Sequence, residues 1–153
     1  EATFARVRDA DEYGMRVHRR DAEMLQHIGE MDEEIATLQR AAEAAPPGQR
    51  YLLERKMQEL KKAAGRRASQ ALARVLVETL QGLSREAIAR PLTPTPGASS
   101  DVTLVLNGAF LVPRDRLSEF KAAVGSAVER LEPRGLTLDF TGPWPPYNFS
   151  GAA

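Results

Sequence analysis

The chain of 153 residues contains no cysteine, which excludes a disulfide scaffold, a thiol nucleophile and a thiolate zinc site. It has only two histidines, His18 and His27, and either would need further ligands in one pocket to hold a metal. A Gly-rich phosphate loop, a Gly-x-Ser-x-Gly elbow and a Ser-His-Asp set are also missing. The sequence therefore predicts no catalytic residue, no metal and no cofactor, and indicates a protein that is not an enzyme.

Long apolar runs and net charge are lacking as well. No stretch approaches the ~20 apolar residues of a membrane-spanning helix, so we expect no membrane insertion. Twenty-one basic residues balance 21 acidic ones, so the whole molecule has no strong attraction to nucleic acid or anionic lipid. The chain opens without an initiator methionine or an export leader, so we expect a piece of a longer, cytoplasmic protein.

The balanced charge is unevenly distributed along the chain. Residues 21–43 carry seven acidic residues and one Lys or Arg, whereas residues 49–90 carry ten basic and four acidic residues. One basic block lies in the second segment, and clustered bases of this kind bind phosphates in nucleic-acid-binding proteins. No aromatic residue interleaves with the block, which favours pairing within the molecule or with an acidic protein. The block comprises Lys61, Lys62, Arg66 and Arg67.

The first half of the chain predicts a short β segment followed by two helices. Residues 2–18 have the pattern of a β-hairpin, with Phe4 in its first strand and a turn at residues 9–11. Asp21 stands at a helix N-cap position, and apolar residues then recur at four-three spacing as the seam of one amphipathic helix. The seam residues are Met24, Ile28, Met31, Ile35 and Leu38.

Two prolines separate this helix from the next. Ala45-Pro46-Pro47-Gly48 ends the first helix and starts a second, predicted over residues 49–90, with bends or breaks at Gly65 and Gly82. The short connection predicts an antiparallel helical hairpin whose oppositely charged arms support each other.

The second half predicts a return to β structure. Residues 91–100 are a linker, and Asn107-Gly108 is either a tight hairpin turn or a bulge inside one long strand over Val102–Val112; the single strand is favoured because a hairpin would have very short arms. Asp115 is predicted to cap a helix ending near Pro133, and Leu136–Phe140 alternates as a final strand.

This element order predicts an α+β fold, in which an antiparallel or mixed sheet, related to ferredoxin-like folds, carries a long antiparallel helical hairpin. Residues 1–20 and 101–150 would form the sheet domain and residues 21–90 the hairpin, joined by the linker at residues 91–100.

The segment Thr141–Phe149 combines three prolines with three aromatic residues, among them Trp144, the only tryptophan in the chain. Because each proline restricts the backbone, the segment is a stiff element that presents its aromatic side chains in a defined order. Packing onto the sheet or helices is favoured over contact with a partner. If the Trp144 ring is buried, Trp144→Ala should cost ~3 kcal/mol or more.

Four stretches of the sequence form a recognisable set: Glu12-Tyr13-Gly14-Met15-Arg16-Val17, Pro47-Gly48-Gln49-Arg50-Tyr51-Leu52, Leu106-Asn107-Gly108-Ala109-Phe110-Leu111-Val112 and Thr141-Gly142-Pro143-Trp144-Pro145-Pro146-Tyr147-Asn148-Phe149. Together they resemble the gas vesicle GvpL/GvpF family. The C-terminal match is the most specific, and all four occur in the family's order. The resemblance implies a two-domain family in which this chain corresponds to the C-terminal, modified ferredoxin-like domain with its helical part, the family's N-terminal domain being absent.

The resemblance also implies a function that spacing alone does not. It implies a non-enzymatic, accessory or minor structural protein of the gas vesicle, which assists assembly by contacting the small hydrophobic, GvpA-like shell protein and other vesicle proteins. The alternative is a nucleic-acid-binding helical module that uses the basic block. Candidate partner-binding residues are Trp144, Tyr147, Phe149, Lys61, Lys62, Arg66 and Arg67.

Overall fold

The computed structural model describes residues 2–93, 97 and 100–150. Two short 3₁₀ turns, Arg114–Arg116 and Glu132–Arg134, flank helix α5. The helices and strands are, in chain order, α1 (Ala2–Val7), β1 (Ala10–Arg20), α2 (Asp21–Met31), α3 (Glu33–Ala44), α4 (Pro47–Gly82), β2 (Glu86–Ala89), β3 (Val102–Pro113), α5 (Leu117–Leu131), β4 (Leu136–Trp144) and α6 (Tyr147–Ser150).

The four strands form one sheet in the order β2-β3-β1-β4, and all its neighbouring strands are antiparallel. The central strand β1 alternates so that Tyr13, Met15 and Val17 join the main core. Helices α2 to α5 contribute the other side of that core. The structure therefore confirms the α+β class, with an antiparallel sheet and a long helix.

The centre of the core is a group of aromatic rings. Phe120 of α5 is fully buried, and its ring centroid lies 5.7 to 6.2 Å from those of Tyr13, Phe110 and Phe140. These are favourable distances for aromatic pairs. Three strands and α5 thus meet at one side chain.

The predicted β-hairpin at residues 2–18 is wrong. Residues 2–7 form α1 instead, and Phe4 is 81% exposed. Both sides of β1 are occupied by β3 and β4, so the sheet has no place beside β1 for an N-terminal strand. Asp9, the chain's only non-glycine residue with positive φ among those described, lies in the turn between α1 and β1.

The seam of residues 24–38 is confirmed, but it belongs to two helices. Asp32 is extended between α2 and α3, and its carboxylate accepts a hydrogen bond from the backbone N–H of Ile35 at 3.1 Å, which caps α3. Asp21 is not an N-cap; it is the first residue of α2, and its carboxylate binds Arg19 and Thr103.

The second helix is shorter than predicted and is not broken at Gly65. Helix α4 starts at Pro47 and ends at Gly82, as the proline and glycine signals indicate. Gly65 does not break it: the residue is buried inside the continuous helix, and a Cβ there would make ordinary van der Waals contact with Met24 of α2, 3.5 Å from its Cγ.

Residues 86–89 form β2 rather than the end of a helix. Their backbone pairs with Gly108–Leu111 of β3, so sheet pairing overrides a local sequence that resembles a helix. Asn107-Gly108 is neither a turn nor a bulge, because it continues β3 and pairs with Met15 and Arg16 of β1.

The last helix–strand unit is largely as predicted. Helix α5 buries Phe120, Val124, Ala127 and Leu131, and β4 continues the predicted alternation. Asp115, however, is not its cap; it lies in the 3₁₀ turn, and no side chain caps α5.

Candidate functional site

Three of the four family-like stretches lie side by side in the sheet. Glu12–Val17 is in β1, Leu106–Val112 is in β3, and Thr141–Trp144 is the end of β4. Close approach of β1 and β4 requires glycine at two positions. A Cβ on Gly14 would lie 2.7 Å from Thr141 Oγ1, and one on Gly142, whose φ is +125°, would lie 2.8 Å from the Glu12 carbonyl oxygen.

The sheet face turned away from the main core is called the open face here. At one end of the open face, the two ends of the described chain meet, and we call their helices α1 and α6 the terminal clasp. Phe149 of α6 is 3% exposed and packs in a small second core of Ala10, Ala109 and Leu111. The Arg6 guanidinium of α1 donates to the Phe149 carbonyl oxygen. This part of the open face is thereby covered.

A buried carboxylate holds the terminal clasp to β1. Glu12 is 5% exposed, and its two oxygens accept hydrogen bonds from the backbone N–H of Asn148 at 2.9 Å and from its Nδ2 at 2.8 Å. Sequence reasoning missed both residues as a pair, although each lies in a family-like stretch. Their separation of 136 residues leaves no local signal.

Glu12→Ala should therefore lower the free energy of unfolding by about 1–3 kcal/mol, because it leaves the Asn148 donors without their acceptor. Urea unfolding followed by circular dichroism measures the loss. Glu129→Ala, at an exposed position of α5, is the matched control and should change stability by less than about 0.5 kcal/mol. Equal stability of the two variants would contradict the assigned role of Glu12.

The three predicted aromatic residues of the C-terminal segment have different environments. Phe149 is in the small core, whereas Trp144 is 50% exposed and Tyr147 is 72% exposed. The packing role predicted for the segment thus belongs to Phe149, and the condition that Trp144 be buried is not met. Binding of a partner by Trp144 and Tyr147 stays a prediction.

The rest of the open sheet face is a groove of about 1080 Å³, which we call the sheet groove. Arg16 of β1, Asn107 of β3 and Asp139 of β4 are cross-strand neighbours there, and the backbone N–H of Arg90 donates to the Asn107 carbonyl oxygen at 2.8 Å. These four residues form a row across the sheet, and Trp144 lines the same groove.

The basic block does not form one surface. Arg67 pairs with Asp32 at 3.4 Å, across from α4 to the start of α3. Lys62 and Arg66 instead line a smaller pocket of about 400 Å³, together with Arg19 and Asp21, and Lys61 is half-buried. The predicted pairing within the molecule is present for Arg67.

The two histidines each lie near a single carboxylate. His18 Nδ1 is 3.5 Å from Asp139, and His27 Nδ1 is 3.6 Å from Glu30. Among residues 2–93, 97 and 100–150, no three potential ligands of the His, Asp and Glu types converge on a metal position. The helices within these ranges include none that is long and apolar enough to cross a membrane.

Two ionisable groups at or near the family-like stretch of β1, Tyr13 and Arg114, have raised pKa values. Burial raises the pKa of Tyr13, and the nearby Asp11 carboxylate adds to this. The hydrogen bond to Asp11, 3.2 Å from Arg114 Nε, raises the pKa of Arg114. This pair joins the start of β1 to the turn after β3.

Comparison with known proteins gives one consistent result. The family model described as "Gas vesicle synthesis protein GvpL/GvpF" matches residues 1–151. Gas vesicle protein L2 of Halobacterium salinarum is 30% identical over 129 residues, covering 81% of this chain and 44% of that protein. Gas vesicle protein F of Haloferax mediterranei is 48% identical over 46 residues, which are 30% of this chain and 21% of that protein.

Two solved structures share the fold. The crystal structure of GvpF from Microcystis aeruginosa aligns with a TM-score of 0.62 at 18% identity, and that of GvpF from Anabaena sp. PCC7120 with 0.66 at 17%. Each alignment covers 99% of this chain and 58% of the solved chain. The chain thus spans less than two thirds of the length of these proteins.

Proposed function

The chain belongs to the GvpL/GvpF family of gas vesicle synthesis proteins, and from this premise we propose that it assists gas vesicle assembly by binding the small hydrophobic shell protein and other vesicle proteins. The family match over residues 1–151 is the observation that carries the proposal. In this proposal, the protein acts in the cytoplasm at the growing vesicle and does not enter a membrane. The gas vesicle matches give no support to the alternative of a nucleic-acid-binding module.

Physical chemistry supplies a reason for such a protein. A subunit that polymerises into a gas-tight wall carries apolar surface that must be shielded before assembly, and a reversible protein contact is one way to shield it. The exposed Trp144 and Tyr147 support this role, because aromatic residues are enriched at the centres of protein interfaces. Along the chain, both residues follow Phe140, which is the last residue of β4 that packs against the main core.

We also infer that the domain is a modified ferredoxin-like fold. The order of strands and helices after α1 is β-α-β-β-α-β if α2, α3 and α4 are counted as one helical insertion, and this order is typical of ferredoxin-like domains. The division into a sheet domain (residues 1–20 and 101–150), a helical part (21–90) and a linker (91–100) stays a proposal. Strand β2 adds residues 86–89 to the sheet.

Co-expression with a small hydrophobic gas vesicle shell protein tests the function. We expect the tagged chain to retain the shell protein in a pull-down, and the double variant Trp144→Ala/Tyr147→Ala to retain several-fold less. Tyr51→Ala/Leu52→Ala, which removes two exposed apolar side chains from the start of α4, is the matched control and should retain the wild-type amount. Failure of the wild-type chain to retain soluble shell protein would refute the proposal.

A further inference from the structure

The sheet groove differs from the rest of the sheet surface in being left open by the helices and by the terminal clasp. Gly14 contributes no side chain to its floor, and Asn107 is nearly buried there, with its Nδ2 donating to the Pro91 carbonyl oxygen at 3.0 Å. Trp144 stands at one margin of this floor and Arg90 at another.

The charges of this face are unequally satisfied. Glu12 binds Asn148 and Glu86 lies 3.5 Å from Arg6, whereas Asp139 lies 3.5 Å from His18, an imidazole that carries charge only when protonated.

The cations of the groove lack such partners. Arg16 and Arg90 are both exposed, and neither guanidinium lies within 4.0 Å of a carboxylate anywhere in the described part of the chain. They occupy the same cross-strand row, on either side of Asn107. The groove thus presents two unpaired guanidinium groups and an aromatic ring.

We propose that the sheet groove binds an acidic segment of a protein partner, whose carboxylates pair with Arg16 and Arg90 while an apolar side chain packs on Trp144. Guanidinium groups bind carboxylates through paired N–H donors, and the half-exposed indole offers apolar area beside them. The inference rests on the proposed function for the choice of a protein as partner, and it names the chemistry of the segment that is bound.

The groove favours an acidic peptide over a nucleic acid. Binding to a nucleic-acid strand depends on several phosphate contacts, whereas this face offers two unpaired guanidinium groups next to the Asp139 carboxylate. A short peptide with separated carboxylates can contact both guanidinium groups. A nucleic-acid strand would instead bring a continuous row of phosphate charges close to the Asp139 carboxylate.

The only tryptophan of the chain lines the groove, so its fluorescence reports occupancy directly. The probe is a short synthetic peptide of alternating glutamate and leucine, titrated at low ionic strength because salt screens the interaction. We expect a saturable change in Trp144 fluorescence. The Arg16→Gln/Arg90→Gln variant should bind about a hundredfold more weakly, because it loses two charge-assisted contacts, each expected to account for about a tenfold change.

Three controls make the titration decisive. Arg55→Gln/Lys56→Gln removes the same charge from an exposed part of α4 and should bind as the wild type does. Arg16→Lys/Arg90→Lys keeps the charge and should retain more affinity than the glutamine variant. A peptide of alternating lysine and leucine should not bind. No saturable change with the acidic peptide, equal loss in the α4 variant, or tighter binding of a single-stranded oligonucleotide would overturn the proposal.

The shell-protein pull-down separates this inference from the proposed function. If the wild-type chain retains shell protein but binds no acidic peptide, the groove proposal alone fails. If it binds the peptide through Arg16 and Arg90 but retains no vesicle protein, the proposed function alone fails.

Discussion

Phe120→Ala is expected to lower the free energy of unfolding by about 3–5 kcal/mol, the largest effect of any substitution discussed for this chain. The Phe120 ring is fully buried and contacts aromatic rings from β1, β3 and β4. Its removal takes away the apolar area of the ring and leaves a cavity between α5 and the sheet. The neighbouring rings Tyr13 and Phe140, which stack at 5.2 Å, hold each other in place and close that cavity only in part.

Equilibrium unfolding in urea measures this effect, with the midpoint and slope fitted separately so that a change in the unfolded state is recognised. Val75→Ala on α4 is the matched control, since that side chain is 52% exposed and its truncation leaves no cavity. We expect it to cost less than about 1 kcal/mol. A loss for Phe120→Ala no larger than the control's would contradict the aromatic core as the main packing centre.

Phe149→Ala is expected to cost about 3 kcal/mol, because it empties the small core under the terminal clasp. Phe149 packs on Ala10, Ala109 and Leu111, and α6 has only four residues, so it has no helical stability of its own. Loss of this anchor should also weaken the hydrogen bonds between Glu12 and Asn148.

Trp144→Ala is the informative comparison. Half of the Trp144 surface remains in water, so its truncation should cost about 1–2 kcal/mol rather than the ~3 kcal/mol expected for a buried ring. Thermal unfolding of both variants, together with amide hydrogen exchange at Asn148 and Phe149, measures the difference. A larger loss for Trp144→Ala than for Phe149→Ala would show that the indole, not the phenyl ring, anchors the segment.

Sequence reasoning succeeded where one pattern is long and repeated. The apolar face of α5 and the alternation in β4 each bury the residues that the pattern selects, and the break at Pro46-Pro47 lies where proline chemistry requires it. These features depend on backbone geometry and on the burial of one face, which neighbouring residues specify among themselves.

Predictions from the sequence failed where a distant strand decides whether a segment forms a helix or a strand. Residues 86–89 have helical propensity but pair with β3, and the N-terminal segment predicted as a strand becomes α1 because β1 already has two neighbours. The apolar spacing also did not reveal the interruption at Asp32, because the same seam continues from α2 into α3 across this one extended residue.

The candidate site divides in the same way. The density of prolines and aromatic residues in Thr141–Phe149 marks the segment as structured. Which of its rings is buried depends on the size of the side chains on the sheet beneath each ring. Small residues at Ala10 and Ala109 admit Phe149, whereas Trp144 remains 50% exposed.

The sequence by itself determined the α+β class, the family and the stiffness of the C-terminal segment, because these follow from local periodicity, proline geometry and a motif order that can be read along one chain. Only the tertiary structure decided that Glu12 binds Asn148, that Phe149 rather than Trp144 anchors the clasp, and that Arg16 and Arg90 share one groove. Each of these depends on residues brought together by strand register over long separations, and register is set by the packing of the whole sheet.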